Sequence, residues 1–291
     1  MNLIEAILQS VTQLPPFPAA LQRVLQLVED PKSSARDVVE VIQYDQSITA
    51  NVLMVCNSAY CGGRRPIHSL GEALVRIGFN NLVEIVLTRG TSFLFFQACQ
   101  GYQLQQGELW RHSVACALLS QILAGRLKQE KSPIQFTATL LHDVGKVVLG
   151  AFVKDHFEEI RRLVQEENLS FPEAEKKALG IDHAELGGRI AEQWNFPKSI
   201  TAAIRYHHDP FHESVDDREI VQLTCLCDLV AMTTGIGGGA DGLSYHAHEK
   251  VMGEYGLKEK DIEYFIVELA EEFHQVREMF SAPDSNQGKT S

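Results

Sequence analysis

Apolar residues in this chain recur at three- and four-residue spacing almost from end to end, and no segment alternates apolar with polar for the length of a strand. Leu21, Val24, Leu25 and Val28 make one such stripe after the Leu14-Pro15-Pro16-Phe17-Pro18 entry loop, and Ile48, Val52, Leu53 and Val55 make another. Helix-start signals precede the stripes. Ser34 with Asp37, Ser69 with Glu72 and Ser170 with Glu173 have capping-box spacing, and Asp45 can cap the segment that follows it. The pattern predicts an all-α chain, a helical bundle without a sheet.

Residues up to about Gln100 read as short helices joined by turns at Asp30-Pro31 and Cys61-Gly62-Gly63. A Gly/Gln-rich stretch from Gln100 to Gly107 reads as a joint. Longer helices follow, separated by turns near Gln129–Pro133, Asn168–Pro172, Asn195–Pro197 and Asp209–Pro210. Gly235 to Gly242 reads as a flexible loop, and a last helix near Lys258 to Phe280 precedes a polar tail. The expected division is a smaller helical N-terminal part over residues 1–100, a larger helical part over 101–280 and a disordered tail over 281–291.

A net charge of −12 disfavours a phosphate backbone as partner, because the basic residues form only short clusters such as Arg64-Arg65 and Lys176-Lys177. Nucleic-acid binding is therefore not expected. Met1 to Val11 reads as an amphipathic helix without the basic start and cleavage site of a signal peptide. The longest apolar stretches, such as Leu82 to Leu87, read as too short to span a bilayer. Six cysteines (Cys56, Cys61, Cys99, Cys116, Cys225 and Cys227) lie in apolar helical contexts and read as reduced core thiols. Together these features place the expected protein in the cytoplasm, with no membrane partner.

The chemistry concentrates at His142-Asp143, inside Leu140-Leu141-His142-Asp143-Val144-Gly145-Lys146. An unpaired carboxylate in so apolar a run costs several kcal/mol, so Asp143 needs a partner: a divalent cation, Lys146 or an arginine. Successive helical residues point about 100° apart, so both side chains converge only on a centre in a groove that other helices complete. Other donors are available. His112 lies near the start of a helix, and His183 opens a helix in which Gly187, one turn later, permits close approach of another. His207 and His208 end the helix from Pro197, and Asp228 sits mid-helix among Leu223, Cys225, Leu226, Leu229 and Val230. Imidazole and carboxylate donors suit zinc, iron, manganese or nickel, as one or two divalent ions. Taken singly, each has a plain alternative as a hydrogen-bonded histidine or helix-face aspartate. His68, His156, His212, His246, His248 and His274 are left on that side.

Several segments, in order, resemble the HDOD family, a branch of the HD superfamily found in bacterial signalling proteins. They are Leu14 to Pro18, Val41 to Thr49, Leu53 to Ala59, Ser69 to Gly78, Leu109 to Ser113, Leu140 to Lys146, and Tyr206-His207-His208. The resemblance implies an all-helical fold, in agreement with the periodicity. It also implies a metal set of His112, His142, Asp143 and Asp228. The related branch that hydrolyses cyclic dinucleotides adds ligands in contexts similar to His183 and His207-His208, and a phosphate-contacting lysine that matches Lys146. Where those enzymes continue with an acidic residue and a Gly-Tyr-Pro signature, this chain has Asp209-Pro210-Phe211, which disfavours that substrate.

Two functions follow as expectations. The first is a signalling or regulatory module that binds a signalling protein or a small phosphorylated ligand, with a metal stapling the core. The second is a metal-dependent phosphohydrolase in which Asp143 bridges two ions and Lys146 offsets charge on phosphate oxygens. A third possibility is a buried polar network without metal. The sequence leaves the oligomeric state open.

Overall fold

The computed structural model describes the backbone of residues 2–58, 65–240 and 248–280, and the side chains of the same residues except 248, 249 and 275–280. Among the described residues the regular elements are helices, as the periodicity predicts; the one β-bridge, Cys99 with Leu104, is isolated. The turn at Cys61-Gly62-Gly63, the arginine Arg64, Asp241, Gly242, His246 and the tail from Ser281 lie outside the described residues, as does the His248 side chain.

Among the described residues the helices before Gln100 are α1 (Leu3–Thr12), α2 (Ala19–Glu29), α3 (Ala35–Ile42), α4 (Gln46–Cys56), α5 (Leu70–Ile77) and α6 (Phe79–Phe95). Their starts follow the sequence signals. The Ile48 N–H donates to the Asp45 carboxylate at 3.0 Å, and the Glu72 N–H to the Ser69 hydroxyl at 3.2 Å. The partner carboxylate at Ser69 reaches one residue further than a capping box requires, because Glu72 accepts from the His68 N–H.

After Gln100 come α7 (Glu108–Leu127), α8 (Pro133–Leu141), α9 (Val144–Asp155), α10 (Phe157–Glu167), α11 (Phe171–Leu179), α12 (His183–Gln193), α13 (Lys198–Tyr206), α14 (Arg218–Thr233), α15 (His248–Glu254) and α16 (Glu259–Phe280). Helix α7 packs against α8, α14 and α16, while α12 packs against α9 and α13. One apolar core runs from Ile7 to Val221 and draws residues from both sides of Gln100. A smaller one joins Leu119 and Leu123 of α7 to Leu226 and Val230 of α14 and Phe265 and Leu269 of α16.

Three expectations change. The segment Pro133–Asp155 is long and apolar enough to cross a membrane, contrary to the expectation that every apolar stretch is too short; 83% of its most apolar window is buried inside the protein. Its apolarity is that of a central core segment. The chain also breaks within it: His142 ends α8 and Asp143 begins α9 with φ −92° and ψ 14°, so the dyad lies at a helix junction. Finally, Gly235 to Ala240, within the expected flexible loop, touches the body at two points and forms a strap. Gly237, at φ +63°, lies so close to α7 that a Cβ there would stand 2.4 Å from the Glu108 carbonyl oxygen, and the Ala240 N–H donates to the Tyr102 carbonyl at 3.0 Å.

Glycine sets the closest helix crossing. A Cβ on Gly145 of α9 would stand 1.9 Å from the His183 carbonyl oxygen and 2.8 Å from the Gly187 nitrogen, both backbone of α12. The expected role of Gly187 is met on its other side as well, where a Cβ would come within 2.8 Å of Ile204 of α13.

Two stability predictions follow. Gly145→Ala must push α9 and α12 apart and should cost about 3 kcal/mol or more, whereas Gly71→Ala, with open space around it, should gain up to about 1 kcal/mol. Denaturant midpoints of the two variants check this. Burial also pushes the Glu84 carboxyl from an ordinary 4.5 up to about 7, with Lys131 opposing. The folded protein therefore holds a proton that the unfolded chain releases, and stability falls as pH rises from 4.5 towards 7 and stays low above it. Glu84→Gln should recover about 1–3 kcal/mol at pH 8 and nothing near pH 4, measured by unfolding at both pH values.

Candidate metal centre

Side chains from several helices meet at the junction between α8 and α9. Helix α7 brings His112 to it, α12 brings His183 at its first position, the end of α13 brings His207 and His208, and α14 brings Asp228. The sequence-predicted donors therefore converge. The His112 Nε2 lies 3.0 Å from Asp228 Oδ1 and 3.6 Å from Asp143 Oδ2. The His142 Nε2 is 3.5 Å from each of the same two oxygens. On the other side, Asp143 Oδ1 faces His183 Nε2 at 3.5 Å and His207 Nε2 at 3.8 Å. His208 Nε2 lies 2.8 Å from His183 Nε2. The Lys146 ammonium, one turn after Asp143, donates to its Oδ2 at 2.6 Å and sits over the Tyr102 ring.

Which ring nitrogen faces inward is set by the other one. The His142 Nδ1 is 2.7 Å from the Thr139 carbonyl oxygen, and the His207 Nδ1 is 2.8 Å from that of Ile204. A carbonyl oxygen only accepts, so each Nδ1 carries a proton, and whenever the ring is neutral its Nε2 presents a lone pair. The Glu175 carboxylate, fully buried on α11, accepts from the His183 Nδ1 at 2.7 Å and from the His183 backbone N–H, while its other oxygen accepts from the Tyr102 hydroxyl. The His112 Nδ1 points to the Ile236 carbonyl in the strap, at 3.4 Å.

Several acceptors therefore meet in one place. His142 Nε2, His207 Nε2 and Asp143 Oδ1 are buried without a hydrogen-bond partner, and Asp143, Asp228, His112, His142, His183 and His207 each expose no more than 3% of the side chain. Burial would raise the Asp143 carboxyl, but His142, Lys146, His183 and His112 overcome it and hold it well below the usual range. Asp228 is likewise held low against burial, chiefly by His112. Burial disfavours the charged form of His142 and of His183, yet Asp143 raises the first and Glu175 the second. Burial pushes His207 down to about 3, so its ring stays neutral.

Among the described residues three groups of donors are spaced to hold a cation. One is His112, Cys116, His142 and Asp228; another is His183, His207 and His208; and the third joins Asp143 to His142 and His207. Within each cluster the donor atoms lie within 4.8 Å of one another. A divalent ion fits this set, because lone pairs and carboxylate oxygens that face each other unpaired need a positive centre between them. Sequence reasoning did not single out Cys116 or Glu175. Each left a faint signal: Cys116 is one helical turn from His112, and Glu175 is a carboxylate on the buried face of α11 with Phe171, Ala174 and Leu179. The remaining described cysteines, Cys56, Cys99, Cys225 and Cys227, are buried thiols as expected, while Cys61 lies outside the described residues.

The sequence pattern of the HDOD domain matches residues 14–210. The chain belongs to the HDOD family. An HDOD domain protein of unknown function from Geobacter sulfurreducens is 27% identical, with a TM-score of 0.75 over 96% of this chain and 98% of that one. A candidate signal transduction protein from Marinobacter aquaeolei VT8 is 25% identical, with a TM-score of 0.72 over 94% of this chain and 60% of that one. A curated relative of uncharacterised function from Treponema pallidum is 22% identical over 229 residues, which are 78% of this chain but only 44% of the relative. Asp228 lies beyond the residues that the HDOD pattern matches, and it reaches the site through α14.

Protons compete with a cation for these rings, and His142 and His183 hold theirs more tightly than a free histidine does. Bound metal should therefore be lost progressively as pH falls from 7 to about 5, spanning the ordinary histidine value of about 6.5. Metal content after equilibrium dialysis at each pH checks this, and constant occupancy down to pH 5 would rule out histidine ligation.

Proposed function

We propose that this HDOD protein is a regulatory module whose helices are stapled by a divalent transition-metal centre of one or two ions. His112, His142, Asp143 and Asp228 would hold one position, and His183, His207 and His208 would complete the other through Asp143. Iron, manganese, zinc and nickel all accept such donors. The observation that carries this reading is the closure of the site: its donors come from five separate helix ends and faces, and all but the half-buried His208 are shut away from solvent. A centre so enclosed favours holding helices together over admitting a substrate. The Marinobacter relative, described as a candidate for signal transduction, supports the same direction. A signalling protein or a small phosphorylated ligand would then be read by the helical body.

A second reading, metal-dependent phosphohydrolysis, is favoured by one feature. The two oxygens of Asp143 face different histidine groups, the arrangement that a bridging carboxylate needs. When bound, a divalent ion acts as a Lewis acid on phosphoryl oxygens and lowers the pKa of water. Lys146 would then offset charge on an anionic substrate, Asp143 would hold the two positions together, and His208, nearest to solvent, would pass a proton outward.

Protein purified without added metal is expected to carry about one or two transition-metal ions per chain, and chelation is expected to lower its melting temperature. No turnover of phosphomonoesters, phosphodiesters or nucleotides with Mn²⁺ is expected. Turnover that His142→Ala and Asp143→Ala abolish would transfer the assignment to the second reading. Metal-free protein whose melting is indifferent to added metal would overturn both.

A further inference from the structure

We propose that Cys116 is a thiolate ligand of the position formed by His112, His142 and Asp228, making it a soft N/O/S site for zinc, iron(II) or cobalt. The proposal rests on the reading of the cluster as a metal centre. It goes beyond that reading because the expected set contains only imidazole and carboxylate donors.

The spacing comes first. Cys116 follows His112 by one turn of α7, so both side chains leave the same helix face. Its sulfur lies 3.5 Å from the His112 Nε2. For a tetrahedral zinc with bonds of about 2.3 Å to sulfur and 2.0–2.1 Å to nitrogen, the sulfur–nitrogen edge is about 3.6 Å and a nitrogen–oxygen edge about 3.4 Å. The edges here are 3.5 Å for sulfur to His112, 3.0 Å for His112 to Asp228 and 3.5 Å for His142 to Asp228. These three edges match ligand spacing, and all four donor atoms lie within 4.8 Å of one another.

An independent observation points to the same spot. The His142 Nε2 is fully buried, has no hydrogen-bond partner and is directed at the place that the other three surround. The strap presses His112 towards it from behind: a Cβ on Gly237 would stand 2.7 Å from the His112 Cβ. Burial alone does not place a sulfur in such a group. Cys225 and Cys227 are buried on α14 close to Asp228 in sequence, and Cys56 and Cys99 are buried too, yet among the described residues none of the four joins a metal-capable cluster. Softness gives the consequence. A thiolate discriminates against magnesium, calcium and manganese, which prefer oxygen donors, and in favour of zinc, iron(II) and cobalt(II). Coordination breaks the S–H bond, the sulfur electron pair goes to the metal and the proton leaves to solvent, so no oxidant or reductant is needed.

The full chain, stripped of metal and reloaded with Co(II), tests this by its absorption spectrum. The expected result is a near-ultraviolet thiolate-to-cobalt charge-transfer band together with visible d–d bands. Cys116→Ser should lose the charge-transfer band but keep cobalt and the d–d bands, and a Cys225→Ser/Cys227→Ser double variant should keep all of them. If Cys116→Ser does not fold, the wild-type and double-variant spectra still decide. Bound cobalt with d–d bands but no charge-transfer band overturns the ligand role of Cys116 and leaves the His/Asp centre standing. A charge-transfer band that survives in Cys116→Ser overturns it as well. Failure to bind cobalt at all overturns the metal-centre reading and the proposal with it.

Discussion

The carboxylate of Asp143 is fully buried, where an uncompensated charge is costly, and the side chains of several helices balance it. Lys146 sits on one oxygen at 2.6 Å, and four imidazoles from different helices face the two oxygens at 3.5–3.8 Å. Desolvating a carboxylate costs several kcal/mol, which only charge at close range offsets. Removing any one donor therefore affects more than its own contact. It leaves the remaining charges buried without their balance.

Two backbone features make that convergence possible. On a straight helix, neighbours such as His142 and Asp143 would diverge by about 100°. The junction between α8 and α9 removes this constraint, and the two side chains address one centre, with His142 Nε2 3.5 Å from Asp143 Oδ2. The second feature is the crossing of α9 and α12 at Gly145 and Gly187. With an ordinary side chain at Gly145 the His183 backbone could not lie where it does, and the group of His183, His207 and His208 would move away from Asp143. The Glu175 carboxylate then fixes the ring of His183 from behind, with Tyr102 on its other oxygen.

Helix class, helix starts and the order of the site residues were legible in the sequence because each depends on local information. A serine before an acidic residue, a stripe at helical spacing and a His-Asp pair in an apolar run can be read without knowing what packs where. The helix break at the dyad was not legible, since Leu140 to Leu149 holds no proline and its Gly145 serves a crossing. Cys116 resembles any core thiol until the His112 side chain is placed beside it. Glu175 resembles a surface residue of α11 until His183 covers it. The strap from Gly235 to Ala240 has the composition of a mobile loop, but Gly237 lies against α7 where any side chain would collide with the Glu108 carbonyl oxygen. The apolarity of Pro133–Asp155 is ambiguous for a similar reason, because a central core segment and a membrane span satisfy the same test.

The two sides of Asp143 are not equivalent, and the difference bears on function. On the His112 and Asp228 side every donor is shut in, and Lys146 shares Asp143 Oδ2 with His112 and His142. On the His183 and His207 side the set ends in His208, which is half-buried, so exchange with solvent is easier there. A cation on the closed side would compete with Lys146 for the same oxygen and take over its task of balancing Asp143. The ammonium would then be the nearest positive charge left for an anion. A lysine that answers a buried carboxylate in one state and an anion in the other would couple metal occupancy to anion binding. What would separate a regulatory module from an enzyme here is whether an anion can reach Lys146, whose side chain is only 2% exposed.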